Sequence, residues 1–155
     1  MNPGEVQRQP NWRVLTIITW TMLVLAPAVY LVIAWLLDSK GLEAKAGNEM
    51  LVYLLLVVAI VEPAFMPIVT RLEVRKFRKG VSQAKSPAQL FLSLSIIHMA
   101  VVEAVYIFAL ICFILTAKFT YMLWFYPIGI AWSYVYWPRR EKFNRLLEKL
   151  DRHEP

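Results

Sequence analysis

The sequence predicts an all-α integral membrane protein, a four-helix bundle with a short amphipathic C-terminal helix. Hydrophobic residues make up 59% of the 155 residues and charged residues only 18%, whereas soluble domains average about 45–50% and about 25%. The apolar residues form four long runs, and most basic residues fall between or after these runs. Both observations are typical of a multi-span membrane protein.

The four apolar runs cover residues of about 14–37, 50–70, 90–116 and 119–137. Each is near or above the roughly 20 residues that a helix needs to cross a hydrocarbon core of about 30 Å. The first run is too long for the core of a signal peptide, so we expect an uncleaved helix. The sequence therefore predicts a transmembrane domain over 1–137 and a cytoplasmic amphipathic tail over 138–155.

The positions of lysine and arginine predict the orientation. Of the 17 basic residues, 14 lie before the first run, between the second and third, or after the fourth. Only Lys40, Lys45 and Lys118 lie on the other side. Because basic residues near membrane segments mark the cytoplasmic face, both termini are expected to be cytoplasmic. The expected location is the bacterial inner membrane.

Local signals predict where several helices begin and end. Asn11 is a suitable cap for the first helix, and the second helix is expected to continue as a basic helix until Gly80 ends it. The pair Ser86-Pro87 is expected to open the third helix, because proline is favoured at the first helical position.

The basic end of the second helix predicts a site for anionic lipid headgroups. Such clusters attract anionic lipids with about 1 kcal/mol per basic residue. The alternative is that these residues only anchor the helix on the cytoplasmic side. The candidates for contact with headgroups are Arg71, Arg75, Lys76, Arg78 and Lys79.

The tail after Pro138 predicts an amphipathic helix. Glu141 and Arg145 are spaced to form an ion pair on its polar surface. Its apolar stripe could lie on the cytoplasmic leaflet, on the basic connection of the bundle or on a partner protein. The residues of the stripe are Phe143, Leu146, Leu147 and Leu150.

Two glutamates, Glu62 and Glu103, lie inside the apolar runs. A carboxylate at bilayer depth costs roughly 2.5–3.5 kcal/mol, so each is a candidate functional residue. Pro63 and Pro67 lack an N–H, so the carbonyls of Ala59 and Pro63 lose their helical partners. A carboxylate beside free carbonyls could form a proton or cation site. The alternative is that Glu62 is hydrogen-bonded to a neighbouring helix and only shapes the bundle.

His98 is a candidate partner for Glu62. A hairpin symmetric about residues 79–80 would place the two side chains at almost the same depth, and such a pair would exchange protons near neutral pH. The alternative is that His98 is a hydrogen-bonded residue of the core. The same symmetry places Glu103 roughly 9 Å deeper than Glu62, at 1.5 Å per residue, so we expect two separate sites.

Two resemblances add expectations. The phrase Glu103-Ala104-x-x-Ile107-Phe108-Ala109-Leu110 resembles the ion-binding helix of rotary ATPase proteolipids, which implies that Glu103 would carry a proton or sodium ion. The overall layout resembles a group of small uncharacterised bacterial four-helix inner-membrane proteins, which share an acidic third helix and a phrase like Trp137-Pro138-Arg139-Arg140. That resemblance implies a fold and no activity.

Several functional classes have no motif in this sequence. There is no glycine-rich phosphate loop, nucleophile elbow or CxxC motif, and one cysteine and two histidines offer no protein-only metal site. We expect no catalytic residues, no enzyme activity, no cofactor and no nucleic acid partner. The leading hypothesis is an accessory or structural membrane protein that binds a membrane protein partner or forms a homo-oligomer. One alternative is a proton- or cation-coupled transport component, and another is a cofactor- or quinone-interacting subunit built around His98 and the aromatic fourth run.

Overall fold

The computed structural model describes residues 9–41 and 49–151, which are helical and contain no β-strand. Arg8, Lys45 and Arg152, which contribute to the predicted charge asymmetry, lie outside these residues. The first three helices are each long and apolar enough to cross a membrane. The five helices are α1 (Trp12–Ser39), α2 (Glu49–Arg78), α3 (Pro87–Thr116), α4 (Phe119–Tyr136) and α5 (Arg140–Asp151).

The predicted helix ends are confirmed. The side chain of Asn11 accepts a hydrogen bond from the N–H of Val14 at 3.3 Å, which caps α1. Ser86 caps α3 in the same way by accepting from the N–H of Gln89 at 3.3 Å. Past the end of α2, Gly80 has φ +68°, a left-handed conformation that glycine adopts without steric cost. These caps fix both ends of the connection between α2 and α3.

Prolines make two of the long helices irregular. In α1 a π-helical turn at Thr21–Leu25 precedes Pro27. In α2 the regular helix is interrupted at Phe65, whose N–H donates to the carbonyl of Glu62 at 3.2 Å. The interruption lies where the sequence predicts a bend, because Pro63 and Pro67 cannot donate to the carbonyls one turn earlier.

The central element is α3, which contacts each of the other four helices. Thirteen of its residues are buried, including Met99, Val102 and Phe113, which are fully inaccessible. Because it is extensively buried and contacts every other helix, α3 forms the core of the described structure.

Aromatic and polar contacts distinguish the two ends of the bundle. At one end the rings of Trp12, Phe91 and Phe143 lie 5.3–6.3 Å apart, so α5 packs beside the beginnings of α1 and α3. At the other end the carboxylate of Glu49 accepts hydrogen bonds from Lys118 at 2.8 Å and from Tyr121 at 3.1 Å. The described part of the chain therefore places α5 and the connection between α2 and α3 at the same end.

The predicted apolar stripe of α5 packs on the bundle. Phe143 and Leu146 are 4% and 6% exposed, and Leu147 and Leu150 are partly buried against the same cluster of core residues. The tail helix is therefore part of the fold, and its polar side faces the end of α2.

Candidate functional site: a basic cleft at one end of the bundle

A cleft of about 590 Å³ lies between the second half of α2, the beginning of α3, the end of α4 and α5. A volume of this size is typical of sites for small organic ligands, about 300–1,000 Å³. No acidic side chain is among the described residues that line it. We call it the basic cleft, because six of its lining side chains are cationic: Arg71, Arg75, Arg78, Lys142, Arg145 and Lys149.

The six cations form two stripes that face each other. The α2 stripe consists of Arg71, Arg75 and Arg78, and the α5 stripe consists of Lys142, Arg145 and Lys149. Spacings of three and four residues place the members of each stripe on one side of their helix. The first and last members of each stripe are seven residues apart, or about 10.5 Å at 1.5 Å per residue.

Hydrogen bonds to backbone carbonyls position the two stripes. The ammonium group of Lys142 donates to the carbonyl oxygen of Val135 and, at 2.9 Å, to that of Trp137, which satisfies carbonyls at the C-terminal end of α4. The guanidinium group of Arg78 donates to the carbonyl oxygen of Lys149 near the end of α5. The stripes therefore run in the same direction, with Lys142 at the inner end and Lys149 at the outer end.

Polar side chains line the inner end of the cleft. The hydroxyl of Thr70 donates to the carbonyl of Met66 at 2.9 Å and lies 3.0 Å from Nε2 of His98. Because that hydroxyl proton is already used, Nε2–H of His98 is the donor in this pair. Ser95 is only 5% exposed, and its hydroxyl makes no hydrogen bond with the described residues. Its hydroxyl is therefore available to a ligand.

Carboxylates of the described residues do not offset the positive charge of the cleft. The ion pairs among the described residues are Lys76 with Glu73 and Lys118 with Glu49, and none of these four residues lines the cleft. Burial lowers the pKa of Lys142 below its usual value, and the neighbouring charges of Arg139 and Arg145 lower it further. An anion in the cleft would reverse this unfavourable interaction.

The predicted headgroup residues divide into two groups. Arg71, Arg75 and Arg78 line the cleft, whereas Lys76 and Lys79 do not. Helical geometry explains the division, because positions 76 and 79 lie on another side of α2, where Lys76 contacts Glu73 at 2.6 Å.

The sequence analysis missed the three cations of α5. The signal was present, since Lys142, Arg145 and Lys149 follow the same helical spacing as the α2 stripe. The predicted ion pair between Glu141 and Arg145 is wrong, because Arg145 lines the cleft and does not bond to Glu141. Which side of α5 would face α2 depends on how the helix docks.

The two glutamates of the apolar helices, Glu62 and Glu103, lie in different surroundings. Glu103 accepts a hydrogen bond from the hydroxyl of Tyr30 at 2.9 Å, which links α3 to α1. Glu62 is partly exposed, and its carboxyl group makes no hydrogen bond or ion pair with the described residues. The carbonyl of Pro63, predicted to be free at the bend of α2, accepts from the hydroxyl of Tyr136 at 2.6 Å. The carbonyl of Pro63 is therefore not free, because it already has a protein partner. Ala59, the other residue of the predicted free carbonyls, is fully buried.

The predicted pairing of His98 with Glu62 is wrong, because His98 bonds to Thr70. A hairpin in which Thr70 is level with His98 has its midpoint near Ala84, because α3 begins only at Pro87 after a connection of several residues. Glu62 is eight residues from Thr70, or about 12 Å along α2. Glu62, Glu103 and His98 therefore do not form one site. Within the described ranges, no three histidine, cysteine or acidic side chains come together as metal ligands would.

The chain matches no model of a protein family, no curated protein and no solved structure. The resemblance of residues 103–110 to rotary ATPase proteolipids therefore remains local. What the protein binds has to follow from the chemistry of the basic cleft.

Proposed function

We propose that the chain is a four-span integral membrane protein of the accessory type that binds an anionic, phosphate-bearing lipid headgroup in its basic cleft, at the cytoplasmic face. The observation that carries this proposal is the set of six cationic side chains around one cleft, with no acidic side chain among its described lining residues. Guanidinium groups suit this ligand, because they can donate two parallel hydrogen bonds to phosphate oxygens.

The surface of the bundle supports a location in the membrane. Large apolar side chains are exposed on the outer faces of the long helices, among them Ile17, Trp35 and Phe65 at 56–65%. Soluble monomers rarely expose extensive apolar patches. The helix α4 has 18 residues, and six of them are tyrosine or tryptophan, so it is less apolar than α1–α3. It nevertheless reaches from the Glu49 end to the α5 end, which supports a fourth span.

The lining of the cleft is amphipathic, which favours a lipid over a bare inorganic anion. Apolar side chains of Val74, Leu94 and Leu146 line the same cleft as the two cationic stripes. A headgroup could contact the arginines while its glycerol and upper acyl chains contact this apolar lining.

The other two hypotheses from the sequence receive less support. A transport site through Glu62, Glu103 and His98 would need these groups to share a cavity, and only His98 lines the cleft. A haem or quinone site at His98 would have to displace Thr70 from Nε2. The described contacts therefore favour headgroup binding over transport and over a haem or quinone site.

Topology reporters test the proposed orientation. A reporter inserted at Gly41 should report the periplasm, and one inserted at Gly80 should report the cytoplasm, because most basic residues lie on the side of Gly80. The opposite pattern would place the basic cleft on the outer face and contradict the proposed location.

Neutralising the α2 stripe tests headgroup binding. We expect the double variant Arg71→Gln/Arg75→Gln to lose at least tenfold in affinity for phosphatidylglycerol, because hydrogen bonds to charged groups contribute about 1.5–3 kcal/mol each. Affinity would be measured from the rise in the unfolding temperature of the detergent-solubilised full chain as the lipid is added. Phosphatidylcholine serves as the uncharged lipid control.

The matched control is Lys76→Gln/Lys79→Gln, which removes the same charge from the same helix outside the cleft. Its affinity for phosphatidylglycerol should stay within twofold of the unmodified protein. Equal losses in the two double variants would mean that the lipid responds only to net charge, and the cleft would not be its site.

A further inference from the structure

We infer that the ligand of the basic cleft carries two phosphate groups on one amphipathic molecule. This inference deepens the proposed function and rests on it, since it specifies the headgroup that the cleft would bind. It follows from the length of the two stripes, from the four cations whose side chains have no partner among the described residues, and from the polar inner end of the cleft.

The stripes are long enough for two phosphate positions. Each stripe spans about 10.5 Å, or nearly two helical turns of 5.4 Å. Charge-assisted hydrogen bonds to a phosphate oxygen are about 2.7–2.9 Å long, so one phosphate reaches only one turn of each stripe. Arg71 and Lys142 define an inner level beside the end of α4, and Arg78 and Lys149 define an outer level. A single phosphate would lie at only one of these levels.

The number of available cations points the same way. Two of the six already donate to backbone carbonyls. The side chains of the remaining four form no hydrogen bond or ion pair with the described residues, and these residues are Arg71, Arg75, Arg145 and Lys149. A phosphodiester carries one negative charge, so it would balance only one of these four cations. Two phosphates match the charge better and supply an acceptor at each level.

The inner level has features of a built site. Ser95 is 5% exposed and lines the cleft, and its hydroxyl lacks a hydrogen-bond partner among the described residues. It lies one turn from His98, which is held in place by Thr70 and by the ring of Tyr136 at 4.8 Å between ring centroids. Ser95 and Arg71 would therefore hold the inner phosphate. Lys149 at the outer end, with Arg75 and Arg145 in the middle of the two stripes, would hold the outer one.

Three probes separate the number of phosphates from their source. Cardiolipin has two phosphates on one amphiphile, phosphatidylglycerol has one, and inorganic pyrophosphate has two without acyl chains. When the two lipids are compared at equal total phosphate, they also supply equal numbers of acyl chains. Binding to the detergent-solubilised full chain would be measured by the rise in unfolding temperature.

We expect cardiolipin to bind at least tenfold more tightly than phosphatidylglycerol per phosphate. A tenfold ratio corresponds to about 1.4 kcal/mol. In Arg75→Gln/Arg145→Gln this ratio should fall to within about threefold. In Lys76→Gln/Lys79→Gln the ratio should not change. Ser95→Ala should weaken the binding of both lipids.

The outcomes distinguish this inference from the proposed function. Equal affinities for the two lipids, both lost in Arg71→Gln/Arg75→Gln, would overturn the two-phosphate inference and leave the headgroup site intact. No binding of any anion would overturn both. Pyrophosphate that binds as tightly as cardiolipin would support two phosphates but overturn the requirement for an amphiphile.

Discussion

Replacing Gly129 by alanine will destabilise the bundle, although alanine normally favours a helix over glycine by about 1 kcal/mol. A Cβ atom at this position of α4 would lie 2.5 Å from the Cζ atom of Tyr106. Tyr106 is 2% exposed, and its ring packs at 5.2 Å against the ring of Tyr126, so it has little room to move. Because overpacking of a core costs about 1–3 kcal/mol, we expect a clear fall in the unfolding temperature in detergent.

The control for this prediction is the same substitution without the tyrosine ring. In a Tyr106→Ala background, Gly129→Ala should be neutral or stabilising, because the atoms that it would meet are gone. An equal loss of stability in both backgrounds would show that the close contact between α3 and α4 is not the cause.

The substitution Leu146→Asp will release α5 and weaken headgroup binding. Leu146 is 6% exposed in the core cluster, and burying an unpaired carboxylate there costs several kcal/mol. Release of the helix would remove three of the six cations from the cleft. We expect rapid tryptic cleavage within residues 139–149 and at least a tenfold loss of affinity for phosphatidylglycerol, while α1–α4 remain folded.

The matched control is Asn144→Asp, which adds the same charge to the exposed side of α5. It should leave tryptic cleavage and the binding of phosphatidylglycerol close to those of the unmodified protein. If Leu146→Asp binds the lipid as well as this control does, the α5 stripe does not contribute to the site.

Features that depend on neighbouring residues could be predicted from the sequence. The caps at Asn11 and Ser86 and the stop at Gly80 follow from residue type and local spacing, and each is found where it was expected. The interruption of α2 also follows from its two prolines. These features require no knowledge of which helices pack together.

Contacts between distant residues could not be predicted. The hydroxyls of Tyr30 and Tyr136 bond to Glu103 and to the carbonyl of Pro63, and each pair is 73 residues apart. Glu103 has only apolar neighbours in sequence, yet a tyrosine from α1 provides its partner. The predicted level of His98 relative to α2 was wrong for a similar reason, since it depends on the path of the connection between α2 and α3.

Only one of the two cationic stripes of the basic cleft was predicted from the sequence. The cations of α2 lie close together in sequence and mark a candidate surface without any tertiary information. Those of α5 join them only because Phe143 and Leu146 dock on the core and turn the other side of the helix toward α2. The sequence analysis left the docking direction of the tail open, and that direction decides whether there is a flat basic surface or a two-sided cleft.

Native mass spectrometry of the full chain, released from cell membranes in mild detergent, tests headgroup binding most directly. We expect the protein to retain a phosphate-containing lipid, Arg71→Gln/Arg75→Gln to lose it and Lys76→Gln/Lys79→Gln to keep it. Equal retention of the lipid by both double variants, or no retained phospholipid in the unmodified protein under conditions that preserve its fold, would show that the basic cleft is not a headgroup site.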